Sequence, residues 1–185
     1  VELQNELLRA MQHNLTREEV AQLENDIAEL IEEDAAWDKR TAQLRLQCIF
    51  ALKSEASSVV KLSRLTLGEL TQEMEELAEQ YEESLQMEGL RVKYNQRRGY
   101  HLTVPADHRM TAEQNGFISI QRQSKKTISC STERISQRNS RAREAIQQIL
   151  ATTEKEISPL IDKVRSLLHL LFGISESIAL LDMVV

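Results

Sequence analysis

The period of the apolar residues changes twice along this chain, and that change limits the folds open to it. Up to about residue 88 the apolar side chains recur at steps of three and four. Val20, Leu23, Ile27, Leu30 and Ile31 do so in one segment, and Leu70, Met74, Leu77 and Tyr81 in another. That spacing lines one face of an α-helix. From Gly89 to Pro105, in "GLRVKYNQRRGYHLTVP", the step becomes two. Leu90, Val92 and Tyr94 alternate with Arg91, Lys93 and Asn95; Tyr100, Leu102 and Val104 alternate with His101 and Thr103. Alternation sends successive side chains to opposite faces of a strand, so an antiparallel pair with one apolar and one polar face is predicted. A second hairpin follows, "GFISIQR" and "TISCS" joined around "QSKK". Helical spacing then returns with Ile135, Ala142, Ile146 and Ile149.

The predicted fold class is therefore mainly α with a small antiparallel β insertion: long helical arms carrying the sheet at their tip. The divisions fall at 1–88 for the outgoing helices, 89–130 for the β-module and 131–185 for the returning helix. Five glycines and two prolines among 185 residues, with 4% aromatics, suit long helices better than a β-rich globule. No run approaches the roughly 18 apolar residues of a membrane span, so no membrane partner is expected. The chain opens mid-helix on "VELQNELLRAMQ" without an initiator methionine and ends in the apolar run "SIALLDMVV". Both ends are those expected of a piece of a longer protein.

Local signals refine the outline. Leu3, Leu7, Leu8 and Met11 predict a short first helix. "TREE" reads as a capping box for the second, with Thr16 capping and Glu19 reaching back. Helix is expected to about Leu46, then an irregular join, then a long helix from about Ser54 to Ser84. Ser131 or Thr132 should cap the returning helix, and Pro159 should kink or divide it. The loop "ADHRMTAEQN" reads as polar and mobile. Cys48 and Cys130 lack metal or disulfide spacing and are expected to be free, buried thiols.

Charge is distributed unevenly. From Arg91 to Arg143 twelve Lys or Arg stand against three acids, a local charge of +9 that leaves −15 on the rest of a chain whose net charge is −6. A basic block within an acidic chain points to an anionic partner met by that block. Its cations gather on two turns: Arg97 and Arg98 in "NQRRG", lifted clear of the sheet, and Arg122, Lys125 and Lys126 around "QSKK". Cations on turn tips suit phosphates better than base edges, which call for a helix or ribbon set in a groove. No phosphate-binding loop, HExxH or G-x-S-x-G is present. Asp107 and His108 sit in a polar loop without a nucleophile, and His13, His101 and His169 fall on separate elements, so neither catalysis nor a metal site is expected.

Tyr94-Asn95-x-x-x-Gly99-Tyr100, preceded by "LRVK", resembles the clamp of the MutS family of DNA-mismatch-recognition ATPases. "GFISIQRQSKKTISCSTERISQRNSRAREA" is similar to the second clamp hairpin and the start of the family's returning helix, and "SIALLDMVV" to the stretch before its ATPase domain. "RLQCIFALKSEASSVVKLSRLTLGEL" is most similar to the family's meiosis-specific fourth type. His101 departs from the family pattern, where many members carry another aromatic. The resemblance implies helical levers interrupted by a clamp that closes over duplex DNA and touches backbone rather than bases. It implies a heterodimeric ring with a second MutS homologue subunit, embracing double-stranded or branched DNA in the nucleus. ATP and Mg would be bound only by an ATPase domain outside this chain, leaving no cofactor and no catalysis within it. Arg97, Arg98, Arg122, Lys125 and Lys126 would lie near phosphates, while Tyr94, Gly99 and Tyr100 look structural. The rival reading is a helical protein–protein scaffold whose basic turns are incidental.

Overall fold

The structure, a computed structural model, describes residues 6–33 and 49–184. The expected join near Leu46, together with Leu3, Trp37 and Cys48, lies outside them. Two short helices, α1 (Glu6–Leu15) and α2 (Glu18–Leu30), precede the long helix α3 (Ser58–Leu85). Strands β1 (Arg91–Asn95) and β2 (Gly99–Pro105) form the first hairpin, and β3 (Ile118–Arg122) and β4 (Thr127–Ser131) the second. A 3-10 turn (Ala106–His108) and the short helix α4 (Arg109–Gln114) lie between the hairpins. The chain returns along α5 (Glu133–Ser166) and ends in α6 (Leu168–Val184). The fold is mainly helical with one small antiparallel sheet, as the periodicity predicts.

The helices α3 and α5 run antiparallel. Arg138 Nε donates to Glu73 Oε2 at 2.7 Å, while Tyr81 and Thr132 bring their hydroxyls to 3.3 Å, so partners fall back on α5 as α3 advances. Rising about 1.5 Å per residue, the two span roughly 40 and 50 Å. Their facing sides bury Leu67, Leu70, Met74, Leu77 and Ala78 against Ile135, Ala142, Ala145, Ile146 and Ile149. Ser57 caps α3, its hydroxyl accepting from Val60 N–H, and Thr132 caps α5 by accepting from Ile135 N–H.

The sheet has strand order β1-β2-β4-β3, all antiparallel. Its apolar face, with Leu102, Val104, Ile128 and Cys130 fully covered, joins the same core as the helices. The first hairpin does not project beyond the helix pair. Arg91 Nη1 donates to Glu82 at the C-terminal end of α3, whereas the hydroxyl of Tyr100 lies 3.4 Å from Thr71 Oγ1. The hairpin is folded back along α3.

Three local expectations are corrected. Thr16 does not cap α2; its hydroxyl donates to Gln12 C=O at 2.9 Å, a carbonyl that also accepts Thr16 N–H at 3.0 Å, and Arg17 takes the cap position without a side-chain bond. Pro159 does not divide α5, which runs on to Ser166; a 56° bend falls at Leu167, between α5 and α6. Lys163, one turn beyond the proline, pairs with Asp26 of α2 and holds that stretch in line. The loop expected at 106–115 is mostly structured. Ala112 is fully buried, its carbonyl accepts from Phe117 N–H at 3.1 Å, and Arg109 pairs with Glu113 at 2.8 Å. One apolar alanine among polar neighbours leaves little periodic signal, although it anchors the helix.

Candidate nucleic-acid interface

The first turn, Gln96–Arg98, is fixed from three sides. Asn95 Oδ1 accepts from Arg98 N–H at 2.7 Å, closing the turn locally. Gly99 follows at φ +73°, a left-handed conformation that costs a side-chain-bearing residue. From α5, Asn139 brackets that glycine: its Oδ1 accepts from Tyr100 N–H at 2.8 Å, and its Nδ2 donates to Arg98 C=O at 2.9 Å. Tyr94 and Tyr100 pack edge to face with ring centroids 5.0 Å apart, so both are structural as the resemblance implies.

The cations on this turn part company. Arg97 is exposed. Arg98 does not stand clear of the sheet. Its guanidinium folds across the polar face, bonding Ser129 Oγ of β4 and, at 2.7 Å, Ser119 C=O of β3. A planar fork of donors can reach two acceptors on different strands, which a single ammonium cannot match. The same face buries His101, Thr103 and Ser129, with His101 Nδ1 2.9 Å from Gly99 C=O. Arg98 thus ties the first turn to the second hairpin.

The second turn is built differently. Ser124 Oγ accepts from the N–H groups of Lys126 and Thr127, both at 3.1 Å, and lies 2.8 Å from Thr127 Oγ1. Gln123 and Ser124 N–H donate to Thr127 C=O at 3.0 Å. Backbone bonds hold the turn, leaving Lys125 and Lys126 exposed. Arg122 is exposed too, its Nε donating within the turn to Ser124 C=O at 3.2 Å. No described carboxylate pairs with Arg97, Arg122, Lys125 or Lys126. Four of the five predicted site residues therefore present free charge on two turns of one sheet.

Sequence reading missed Asn139, Ser129 and Ser124. Asparagine is a poor resident of a helix interior because its amide competes for backbone groups; that was the available signal for Asn139. Among the described residues no three His, Cys, Asp or Glu side chains gather as metal ligands. Cys130 is free and buried, and burial pushes its thiol up to about 11, opposed by the nearby Arg98 charge. It is a core side chain and not a nucleophile.

Residues 61–148 match MutS family domain IV, a span that runs from the first turn of α3 through the sheet into α5. MutS protein homolog 4 of Saccharomyces cerevisiae is 27% identical over 186 residues, covering 98% of this chain and 21% of that relative. DNA mismatch repair protein MSH4 of Arabidopsis thaliana is 26% identical over 165 residues, 89% of this chain and 21% of its own length. MutS protein homolog 4 of Mus musculus is 24% identical over 180 residues, 96% of this chain and 19% of its own. The chain spans about a fifth of the length of these curated relatives. The match takes in both hairpins and much of the helices that carry them, and relatives align along nearly the whole chain, so this chain resembles the MutS family from its first helices to its last.

Proposed function

We propose that this chain is the lever and clamp region of a MutS homologue of the fourth type, and that its sheet holds double-stranded or branched DNA by the phosphate backbone. The observation that carries this reading is the set of exposed cations, Arg97, Arg122, Lys125 and Lys126, standing unpaired on two turns. Long cationic side chains on such turns reach phosphates and do not read base edges, so binding is independent of sequence. The apolar face of the sheet is already occupied by the helices and Arg98 folds across much of the polar face, which leaves the turns for a ligand. The chain contributes binding and no catalysis of its own; in the whole protein it acts beside a second MutS homologue subunit, in the nucleus, in meiotic recombination or mismatch repair.

The test is a charge reversal, R97E with R122E, K125E and K126E, measured by fluorescence anisotropy on unrelated duplexes and a four-way junction. Binding is expected to weaken on all of them alike. The log–log salt slope should shrink by about 0.9 for each phosphate that is no longer neutralised. Unchanged affinity and slope with intact helicity would overturn the reading. The scaffold alternative draws on a different region: α6 exposes Phe172 at 67% and Met183 at 74%, which favours protein contact there. Apolar contact responds little to salt, so the slope separates the two activities.

A further inference from the structure

The hairpin that carries Arg97 lies against the returning helix, and the direction in which it points is defined. It leaves α3 at Glu82, where Arg91 is paired, and reaches the level of Thr71 at Tyr100. On α5 the corresponding levels are Thr132, beside Tyr81, and Asn139, which bonds both sides of Gly99. The turn therefore heads along α5 in the direction of increasing residue number. One helical turn further on stands Arg143. Residues four apart share a face and lie about 6 Å apart along the axis, so Arg143 sits on the Asn139 side of α5, just ahead of the turn.

Arg143 is exposed, and no described carboxylate pairs with it. Ser136, Ser140 and Gln147 share this flank and add hydroxyl and amide donors, while Glu133 and Glu144 stand at its outer edge, further from Asn139 than Arg143 is. The other arginines in the first three turns of α5 form a separate group. Arg134, Arg138 and Arg141 fall on the opposite flank, where Arg138 is neutralised by Glu73 of α3 and also donates to Arg134 C=O. The seven acids of α3, from Glu69 to Glu83, make that side unfavourable for a polyanion.

We propose that Arg143 joins Arg97 in one phosphate seat between the hairpin turn and the returning helix, with Asn139 fixing the distance between the two cations. The inference rests on the DNA-binding reading above and adds a residue on the lever itself. A nucleic-acid strand is then gripped by the sheet on one side and α5 on the other.

The experiment compares R143A, R143K, R97A and R134A in this chain, with duplex DNA binding followed by anisotropy between about 50 and 200 mM salt. R143A should raise Kd several-fold and reduce the salt slope by about 0.9, the share of one phosphate. R143K should retain the slope because the charge remains, whereas R134A should leave both quantities at the wild-type level. Circular dichroism of each variant checks that α5 persists. If R97A weakens binding but R143A behaves like R134A, the seat is wrong while the DNA reading stands. If R97A, R143A and the reversed-charge variant all bind like wild type, both fall.

Discussion

Replacing Gly99 with alanine tests the bracket that joins the first turn to α5. At φ +73° an alanine incurs about 1–2 kcal/mol of left-handed strain. Its Cβ would also stand 3.1 Å from both the amide carbon and nitrogen of Asn139, and nearer still to the oxygen. Asn139 would have to leave, which breaks its bonds to Tyr100 N–H and Arg98 C=O. At a net 0.5–1.5 kcal/mol each, the two bonds bring the total for G99A to about 2–5 kcal/mol. N139A alone removes only the bonds, about 1–3 kcal/mol. In the double variant the bonds are already gone and the clash is relieved, so it should also fall within about 2–5 kcal/mol instead of the sum of the two. Urea unfolding followed by far-ultraviolet circular dichroism gives the cycle, and hydrogen exchange at the Tyr100 amide reports the bracket directly. Strictly additive costs, or an unprotected Tyr100 amide in the wild-type chain, would show that Asn139 does not hold the turn.

Pro159 leaves the Lys155 carbonyl without its helical donor, so P159A should add at most about 3 kcal/mol to the unfolding free energy, seen as a higher urea midpoint at unchanged m. The Cys130 thiol lies above its unfolded value of roughly 8.5. Its contribution to stability is therefore complete below that value and is lost as pH climbs through about 11. Native-state alkylation at mildly alkaline pH should accordingly be slow and should track unfolding; rapid modification of the folded chain would contradict its burial. Glu82 is held below the ordinary carboxylate range, first by the Gly89 N–H and then by Arg91, against some desolvation. A depressed pKa stabilises above the unfolded value of about 4.3 and fades as pH falls through the folded one, so E82Q should flatten the acid side of the stability–pH curve.

The elements legible in the sequence are those whose periodicity agrees with the partner they pack against. The three- and four-residue steps of α3 and α5 become one shared core, and the alternation in β1 and β2 becomes a sheet with its apolar side on those helices. Where a residue serves two masters the local reading fails. Thr16 has the right spacing for a cap but sits closer to the carbonyls ending α1. Pro159 is a helix breaker by local chemistry, yet α2 braces the helix on its far side through Asp26 and Lys163. Arg98 reads like Arg97 in every local respect, and only the approach of β3 and β4 decides that its charge is used inside the sheet. A bond between residues 41 apart, such as Asn139 with Arg98, leaves no trace in spacing.

The two turns consequently differ in what moves them. The first is bonded to α5 through Asn139, so a shift of that helix carries Arg97 with it. The second rests on its own serine-centred bonds and on the ladder from β2 to β4, four residues in register from Leu102–Cys130 to Pro105–Thr127. Arg98 is the cross-tie: it begins in the first turn and ends on β3 and β4. Removing Asn139 frees the first turn from the helix but leaves Arg98 bonded to β3 and β4, whereas removing Arg98 breaks that tie and leaves the hairpins joined by the β2–β4 ladder alone. Charge alone would treat Arg97, Arg98, Lys125 and Lys126 as interchangeable. The bonding sets Arg98 apart as a tie between the two hairpins, and Asn139 as the uncharged amide that bonds the first turn to α5.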